Sequence, residues 1–365
     1  MCQTADFRTF DDPILRTKTR SLRMGSLSMK KMLRHSGLAL VGSAILALQG
    51  CGVVYKATGD VLVSFGRSEM LPYMMTYDDV RMACVTGEAQ TPLLMSFERV
   101  GSDPSKLGAM VFTVAATCAE QIALDAELRY MRSVKDGRVS EAQDARIEQK
   151  RWSAIAANRQ YKAYNYMMQA FGEVKDGECP NMNNDFDEMV WLVGNISGVQ
   201  SLLNDGASDG AVGVPRDIAA KVERNMKCLD NDQWWGVPRG TRAAVWNLLP
   251  MLAPPNADAW AELEASAKAG FDSGIRLGSA LYAMSAFSKG NDERLRQAIR
   301  DYAANDEGLN PDYAMLDAIA GFIIQGISDR EWTENTGKRT PIGGTGTFWD
   351  DTASSGPAID INDLL

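Results

Sequence analysis

The sequence predicts an all-α fold of stacked antiparallel helical hairpins without a β-sheet. Apolar residues recur at three- and four-residue intervals along most of the chain, and no segment alternates apolar and polar residues as a half-buried strand would. The clearest pattern lies in residues 257–304, where three short helical segments are joined by glycine-containing turns. Each such helix is too small to bury its own apolar face, so we expect the helices to stack as a solenoid.

Within this stretch the predicted helices are 257–270, 274–288 and 291–304. The middle one places five apolar residues on one face, which are Leu277, Ala280, Leu281, Met284 and Phe287. A face of this kind is typical of a helix that packs into a core.

The remaining helices are predicted from apolar periodicity together with start and stop signals. Asp78 and Asp79 open a helix that contains Pro92, where a kink is expected. Asp103 or Ser105 is the expected N-cap of the next helix, and Pro215 suits the first turn of another. The predicted ranges are 53–66, 77–100, 105–134, 140–171, 185–203, 215–229, 241–252 and 311–328.

These helices define one predicted domain, residues 51–334. From Asn335 onwards the chain is rich in Gly, Thr, Ser, Pro and Asp and shows no periodicity. Such a composition cannot bury enough apolar surface to offset the entropy of ordering, so residues 335–365 are predicted to be a disordered tail.

The N-terminal part has the composition of a secretory signal. In residues 29–50 a basic segment is followed by an unbroken small and apolar run from Gly37 to Leu48. That run is too short to span a bilayer as a mature helix. The sequence Leu48-Gln49-Gly50-Cys51 resembles the lipobox of bacterial lipoproteins, which implies acylation of Cys51 before cleavage. A buried N-terminal helix with a chance cysteine is the alternative interpretation.

A signal of this type begins at its initiator, yet residues 1–28 precede Met29. We expect them to be an over-extended, disordered start, with a cytoplasmic extension on an uncleaved anchor as the alternative. By resemblance to lipoprotein sorting in Gram-negative bacteria, Gly52 after the cysteine favours the outer membrane, with the protein facing the periplasm.

Charge and histidine content exclude several classes of function. The chain carries 38 Lys and Arg against 47 Asp and Glu, a net charge of −9, which argues against nucleic acid as a partner. Residues 1–50 hold eight of the basic and three of the acidic side chains, so residues 51–365 carry a net charge of −14.

The single histidine, His35, lies in the predicted signal, so residues 51–365 contain none. Catalytic triads, Cys-His pairs and His-ligated zinc are therefore excluded from that part. We predict no catalytic residue, no metal site and no cofactor, and hence no enzyme. A hydrolase that acts through carboxylates alone remains an alternative.

Four cysteines remain after Cys2 and Cys51 are set aside, namely Cys84, Cys118, Cys179 and Cys228. An even number in an oxidising compartment favours two disulfides, with three possible pairings. Cys84 and Cys118 lie on consecutive helices joined by a short turn, so the preferred pairing is Cys84–Cys118 and Cys179–Cys228. Four buried free thiols are the alternative.

Two groups of residues are candidates for contact with a ligand or a partner. Trp234 and Trp235 stand side by side in a predicted loop, where they could cover a ligand or a partner, but a plug at the end of the helical stack explains them better. Met167, Met168 and Met284 could line an adaptable apolar pocket, although methionines at helical spacing are more often core residues. The acidic run 185–188 could bind calcium, but charge complementarity at a helix N-terminus explains it better.

Several motifs, in this order, resemble one family. They are Asp78-Asp79, Asn158-Arg159-Gln160-Tyr161, Tyr164, Met167-Met168, Phe171-Gly172, Ala220-Lys221-Val222, Cys228-Leu229-Asp230, Trp234-Trp235-Gly236, Trp246, Leu249-Pro250 and Leu281-Tyr282-Ala283. With the lipobox they resemble the T-component lipoproteins of tripartite ATP-independent periplasmic (TRAP) transporters, the TatT family, over most of residues 51–305.

The resemblance implies a body of tetratricopeptide-like hairpins that forms a trimer, docks a TRAP periplasmic substrate-binding protein and offers a cavity to a small, hydrophobic ligand. The four cysteines and the polar tail have no counterpart in the family that we can match. The alternative function is a tetratricopeptide-like envelope assembly lipoprotein that holds no small molecule.

Overall fold

The computed structural model describes residues 52–175 and 177–351. By its contacts the chain divides into one unit from Met1 to Val53 and a second from Val54 to Leu365. The predicted signal (29–50), Cys51, the predicted extended start (1–28) and the end of the predicted tail (352–365) lie outside the described residues.

Most of the described residues are helical and none of them forms a β-strand, which confirms the all-α prediction. One isolated antiparallel bridge joins Lys175 and Glu178. In chain order the helices are α1 (52–65), α2 (Leu71–Met75), α3 (Val80–Ser96), α4 (Ser105–Lys135), α5 (Val139–Phe171), α6 (Asp185–Ala207), α7 (Ile218–Asn225), α8 (Val237–Leu248), α9 (Ala259–Ser273), α10 (Leu277–Ser288), α11 (Asp292–Ala304) and α12 (Ala314–Thr336). A π-helical turn, Gly66–Met70, links α1 to α2.

Side-chain caps open several of these helices. The Asp79 carboxylate accepts a hydrogen bond from the Met82 amide at 2.8 Å, and Asn184, Asp258 and Asn291 act in the same way on α6, α9 and α11. Each cap satisfies an amide that has no partner within its own helix. Asp and Asn at such positions are the residues that indicate a helix start in a sequence.

Several helix ends differ from the prediction. α8 begins at Val237 rather than Thr241, because Gly236 adopts a left-handed conformation (φ 74°) that turns the chain into the helix. α7 starts after Pro215, at Ile218, and its last turn becomes the 3₁₀ segment Met226–Cys228. α6 and α12 are each longer than predicted and end at Ala207 and Thr336.

The first half of the body is built on the long α4–α5 hairpin, with α3 on one flank and α6 on the other. Glycines allow the close approaches. A Cβ added at Gly87 would lie 2.8 Å from the Ala115 backbone nitrogen, and one at Gly194 would lie 2.6 Å from Cβ of Met167. These glycines therefore set the distance of α3 from α4 and of α6 from α5.

α4 is long and apolar enough to cross a membrane by length and composition, and it is the one such helix among the described residues. Its most apolar stretch is 72% buried inside the protein. A helix that other helices cover on most sides is apolar all round, so burial is enough to explain the composition of α4.

The second half is a stack of short helices, α8 to α12. Gly240 and Gly278 both lie against Ser266, so α8 and α10 each pack closely on α9. Leu295, Ile299 and Tyr302 of α11 are buried in the same core as Ile324 of α12. This arrangement agrees with the helical hairpins predicted for residues 257–304.

The predicted disordered tail is wrong for residues 335–351, because 335 and 336 complete α12 and 337–351 fold back in turns on α11 and α12. Phe348 is buried beside Leu295 and Ile299, and the guanidinium of Arg296 lies 4.6 Å from its ring centroid. Arg296 and Arg300 pair with Asp350 and Asp351 at 2.7 and 2.6 Å. The low apolar content misled the prediction, because arginines of another helix supply the missing contacts.

Candidate functional site

Two disulfides hold the helices that border the interior, and both belong to the preferred pairing. Cys84 of α3 is bonded to Cys118 of α4, with their Cα atoms 5.4 Å apart, and both are buried. Cys179, in the loop before α6, is bonded to Cys228 at the end of the 3₁₀ turn, with Cα atoms 5.5 Å apart. The prediction of two disulfides is confirmed, and so is the predicted pairing of the four cysteines.

A cavity lies at the junction of the two halves of the body, between α4, α6, α8, α10 and α12. The space open to the centre of a water-sized sphere is about 130 Å³. Its apolar walls come from Met75, Met110, Val114, Val193, Ile196, Val199, Leu203, Val237, Ala244, Leu248, Leu277, Ala280, Leu281, Met284, Met315, Leu316, Ile319 and Ile323. Among the described residues that line it, no side chain is charged.

The polar atoms of the cavity wall come from a few hydroxyl and amide side chains: Thr113, Gln200, Thr241, Ser285 and Ser288. Thr113 already shares a hydrogen bond of 2.6 Å with Ser197. Thr241 is 2% exposed, and within the described structure its Oγ1 has no hydrogen-bond partner. A buried hydroxyl without a partner is costly, and this one belongs to a residue of the cavity wall.

The cavity reaches the surface where α6 and α10 end. Leu203 of α6 and Ser288 of α10 line it and are exposed. Elsewhere Met75 and Met110 border both the cavity and a surface groove of about 570 Å³ that also touches Trp234 and Tyr313. The two methionines therefore form part of the wall between the cavity and that groove.

The three candidate methionines have different positions. Met284 lines the cavity. Met167 is completely buried against Gly194, and its sulfur accepts a hydrogen bond of 3.3 Å from the side-chain amide of Asn195. It is therefore a core residue. Met168 is half-buried and borders a shallow surface groove with Tyr164 and Lys221.

The two tryptophans lie outside the cavity. Trp234 is 2% exposed, and its indole N–H donates to the Glu188 carboxylate at 2.6 Å. Trp235 is half-buried and packs edge-on against Tyr313, with ring centroids 4.8 Å apart. Trp234 is thus a core residue that also borders the surface groove.

The acidic run at the start of α6 is spread over separate partners. Asp187 pairs with Lys106 at 2.7 Å and accepts a hydrogen bond from the backbone amide of Asn183, in the loop before α6. Glu188 is the acceptor for Trp234. In residues 52–175 and 177–351 no group of three or more His, Cys, Asp or Glu side chains could hold a metal ion. The run therefore acts as charge complementarity for the helix N-terminus.

One partly buried carboxylate was not singled out from the sequence. Glu120 of α4 accepts hydrogen bonds of 2.8 Å from Gln160 of α5 and 2.8 Å from Asn204 of α6, and Asn204 also donates to Gln160. Burial raises the pKa of the Glu120 carboxyl above its usual range, although these hydrogen bonds and Arg330 partly oppose the rise. The cluster joins three helices by polar contacts in the interior.

The cavity itself was only partly foreseen. The apolar face predicted for the middle helix of residues 257–304 is correct for Leu277, Ala280, Leu281 and Met284, all of which line the cavity. Thr241 was not identified, because a threonine near a helix start reads as an ordinary cap or surface residue. Its significance comes from burial without a partner, which is a property of the tertiary structure.

Searches of protein-family models, of curated proteins and of solved structures found no match to this chain.

Proposed function

We propose that this chain is a lipid-anchored, periplasm-facing component of a TRAP-type solute uptake system. In this role it docks a periplasmic substrate-binding protein and holds a small apolar ligand. Cys51 would carry the lipid at the outer membrane, and the body would form a trimer, as the resemblance to the TatT family implies. The observation that carries the ligand-binding part of the proposal is the central cavity, whose lining has no charged side chain.

The chemistry of the lining defines the class of ligand. A charged molecule would have to give up its hydration without an opposite charge to replace it, so the cavity selects against ions. Apolar walls favour a hydrocarbon-like molecule, and Thr241 offers one hydrogen bond at the wall. An engineered cavity of about 150 Å³ is enough for benzene, so a ligand of roughly that size fits the space in this cavity.

Toluene and benzyl alcohol are suitable probes because they differ by one hydroxyl group. We expect both to raise the midpoint of thermal unfolding, and benzyl alcohol to bind better because it can pair with Thr241. A ligand at ten times its Kd stabilises the folded state by about 1.4 kcal/mol, which corresponds to roughly 2–4 °C. No shift with either probe would contradict the ligand-binding part of the proposal.

A matched pair of variants places the probe in the cavity. Ala244 lines the cavity and Ala261 is exposed on α9, so both accept a larger side chain with different consequences. Ala244→Leu should abolish the shift with toluene, whereas Ala261→Leu should leave it unchanged. Equal responses of the two variants would place the probe elsewhere.

The docking part needs a separate experiment. The full chain with a C-terminal affinity tag is purified from membranes, and the bound proteins are identified by mass spectrometry. Recovery of a periplasmic solute receptor supports the TRAP role. Recovery of an outer-membrane assembly protein, together with an empty cavity, would instead favour the envelope-assembly function, which the hairpin stack of α8–α12 would serve equally well.

A further inference from the structure

The first helix, α1, carries an apolar face that has no partner among residues 52–175 and 177–351. In residues 54–65, Val54, Val61 and Phe65 are 60%, 67% and 54% exposed, and Tyr55 and Leu62 are exposed as well. Lys56 and Asp60 are the only charged residues of this segment, and they pair with each other at 2.8 Å. The remaining exposed surface of the helix therefore bears no unpaired charge.

α1 touches the rest of the body along a narrow line. Gly59 lies against Phe97 and Ser102, Gly66 lies against Leu107, and the Ser102 hydroxyl donates to the Lys56 carbonyl at 3.1 Å. At 3.6 residues per turn, Val54, Val61 and Phe65 fall about 100–160° round the helix from Gly59 and Gly66. The apolar face therefore points away from the protein that supports the helix.

A second copy of the chain is too large a partner for this face. From Val54 to Phe65 the face is about 17 Å long, and a helix is about 10 Å wide. It therefore offers on the order of 170 Å², whereas a stable protein interface needs about 800 Å² from each partner. A surface that is apolar, uncharged and narrow is covered more easily by a fluid medium, which needs no matching shape, than by a folded protein.

The position of the helix in the chain identifies that medium. Val54 follows Cys51 by three residues, so an acyl group on Cys51 would hold the helix within a few residues of a bilayer. Amphipathic helices in this setting lie in the plane of the interface, with their apolar face at the boundary between headgroups and acyl chains.

We propose that the outer face of α1, formed by Val54, Val61 and Phe65, is a membrane-contact surface that lies in the interfacial layer of a phospholipid bilayer. The proposal rests on the lipid anchor of the proposed function. Contact along α1 adds a second attachment to the acyl chains and fixes the orientation of the helical body, because α1 is supported on Phe97, Ser102 and Leu107.

Site-directed spin labelling tests the surface in the intact, membrane-extracted chain with Cys2 replaced by Ser. A nitroxide is attached to a cysteine at Val61, at Phe65, at Asp60 on the polar side of the same helix, or at Ile147, an exposed residue of α5. The four proteins are placed in vesicles of phosphatidylethanolamine and phosphatidylglycerol. Relaxation by oxygen, which concentrates in lipid, is then compared with relaxation by a water-soluble nickel complex.

We expect the labels at Val61 and Phe65 to be relaxed several-fold more by oxygen than by nickel. The labels at Asp60 and Ile147 should show the reverse ratio. The difference within α1 excludes an effect of mere proximity to the anchor, because Asp60 is adjacent to Val61 in the chain. Circular dichroism confirms that each labelled protein is folded.

Two patterns would overturn the proposal. Ready access of nickel to Val61 would place the face in water. Exclusion of both reagents together with dipolar coupling between labels would place it against a second copy of the chain.

Mass spectrometry of residue 51 separates this proposal from the proposed function. An acylated protein whose Val61 label remains in water loses the membrane-contact surface, while the docking and ligand-binding role stands. A protein without acylation at Cys51 loses the anchor and this proposal together, whereas its receptor pull-down and probe binding still test the rest.

Discussion

Arg276 and Asp317 form a two-point ion pair in the interior, with Nε to Oδ1 at 2.8 Å and Nη2 to Oδ2 at 2.6 Å. The same guanidinium donates to the carbonyls of Tyr302 and Asn305 at the end of α11. One arginine thus joins α10, α11 and α12. The neighbouring residues Leu277 and Leu316 line the central cavity, so the pair also fixes one end of its wall.

Asp317→Asn should lower the free energy of unfolding by about 3–5 kcal/mol, because it leaves a buried guanidinium without a counter-charge. Asp125→Asn is the control, since Asp125 pairs with Arg339 at the surface, where such pairs contribute about 0–1 kcal/mol. Urea denaturation of the two variants measures the difference. Equal losses would show that the buried pair does not hold the three helices together.

Thr241→Val replaces the unpartnered hydroxyl by a methyl group of similar size. We expect the ligand-free protein to gain about 1 kcal/mol in stability, because the cost of the buried hydroxyl is removed. Binding of benzyl alcohol should weaken while binding of toluene is unchanged, as followed by thermal unfolding with each probe. Weaker binding of both probes would mean that Thr241 acts through cavity shape rather than through a hydrogen bond.

Glu120→Gln should change the dependence of stability on pH. The folded-state pKa of Glu120 lies above its usual 4.5, so the unfolded carboxyl ionises first as the pH rises. The native chain therefore loses stability relative to the variant from about pH 4.5 up to the folded pKa, by about 1.4 kcal/mol per unit of pKa difference. Glu293→Gln, an exposed site on α11, is the control.

Urea midpoints between pH 4 and pH 8 measure this change. A constant difference between the native chain and Glu120→Gln over that range would show that Glu120 ionises alike in the folded and unfolded states.

The two disulfides should differ in their sensitivity to reductant. Cys84 and Cys118 are buried, whereas Cys179 is exposed in the loop before α6. Reduction requires a thiolate to reach a disulfide sulfur, so dithiothreitol should open Cys179–Cys228 first in the folded protein. Alkylation followed by peptide mass spectrometry identifies the order, and early opening of Cys84–Cys118 would indicate that α3 separates readily from α4.

The folded segment after α12 should contribute to stability through Phe348. Phe348→Ala should cost about 3–5 kcal/mol, as is usual for removal of a buried aromatic ring. Ile342→Ala provides a control in the same segment, because Ile342 is fully exposed and its removal leaves no cavity. If both variants have the same urea midpoint of unfolding as the native chain, the segment does not support α11 and α12.

Helix positions were predictable because periodicity, caps and glycine turns act over a few residues. Helix starts are indicated by the capping residues Asp79, Asn184 and Asn291. The inward face of α10 is indicated by apolar residues such as Leu281 and Met284. The disulfide pairing was also accessible, since a short turn between two helices brings Cys84 and Cys118 together. Helix ends were less predictable, because Gly236 and the turns after α7 depend on packing.

By itself the sequence determined an all-helical, acidic chain with paired cysteines and no histidine in residues 51–365, because these follow from composition and short-range pattern. The tertiary structure alone decided that Met167 is core while Met284 faces a cavity, and that Thr241 lacks a partner there. It also decided that Phe348 is buried by residues of α11. Such facts depend on contacts between residues far apart in the chain, which local propensity does not encode.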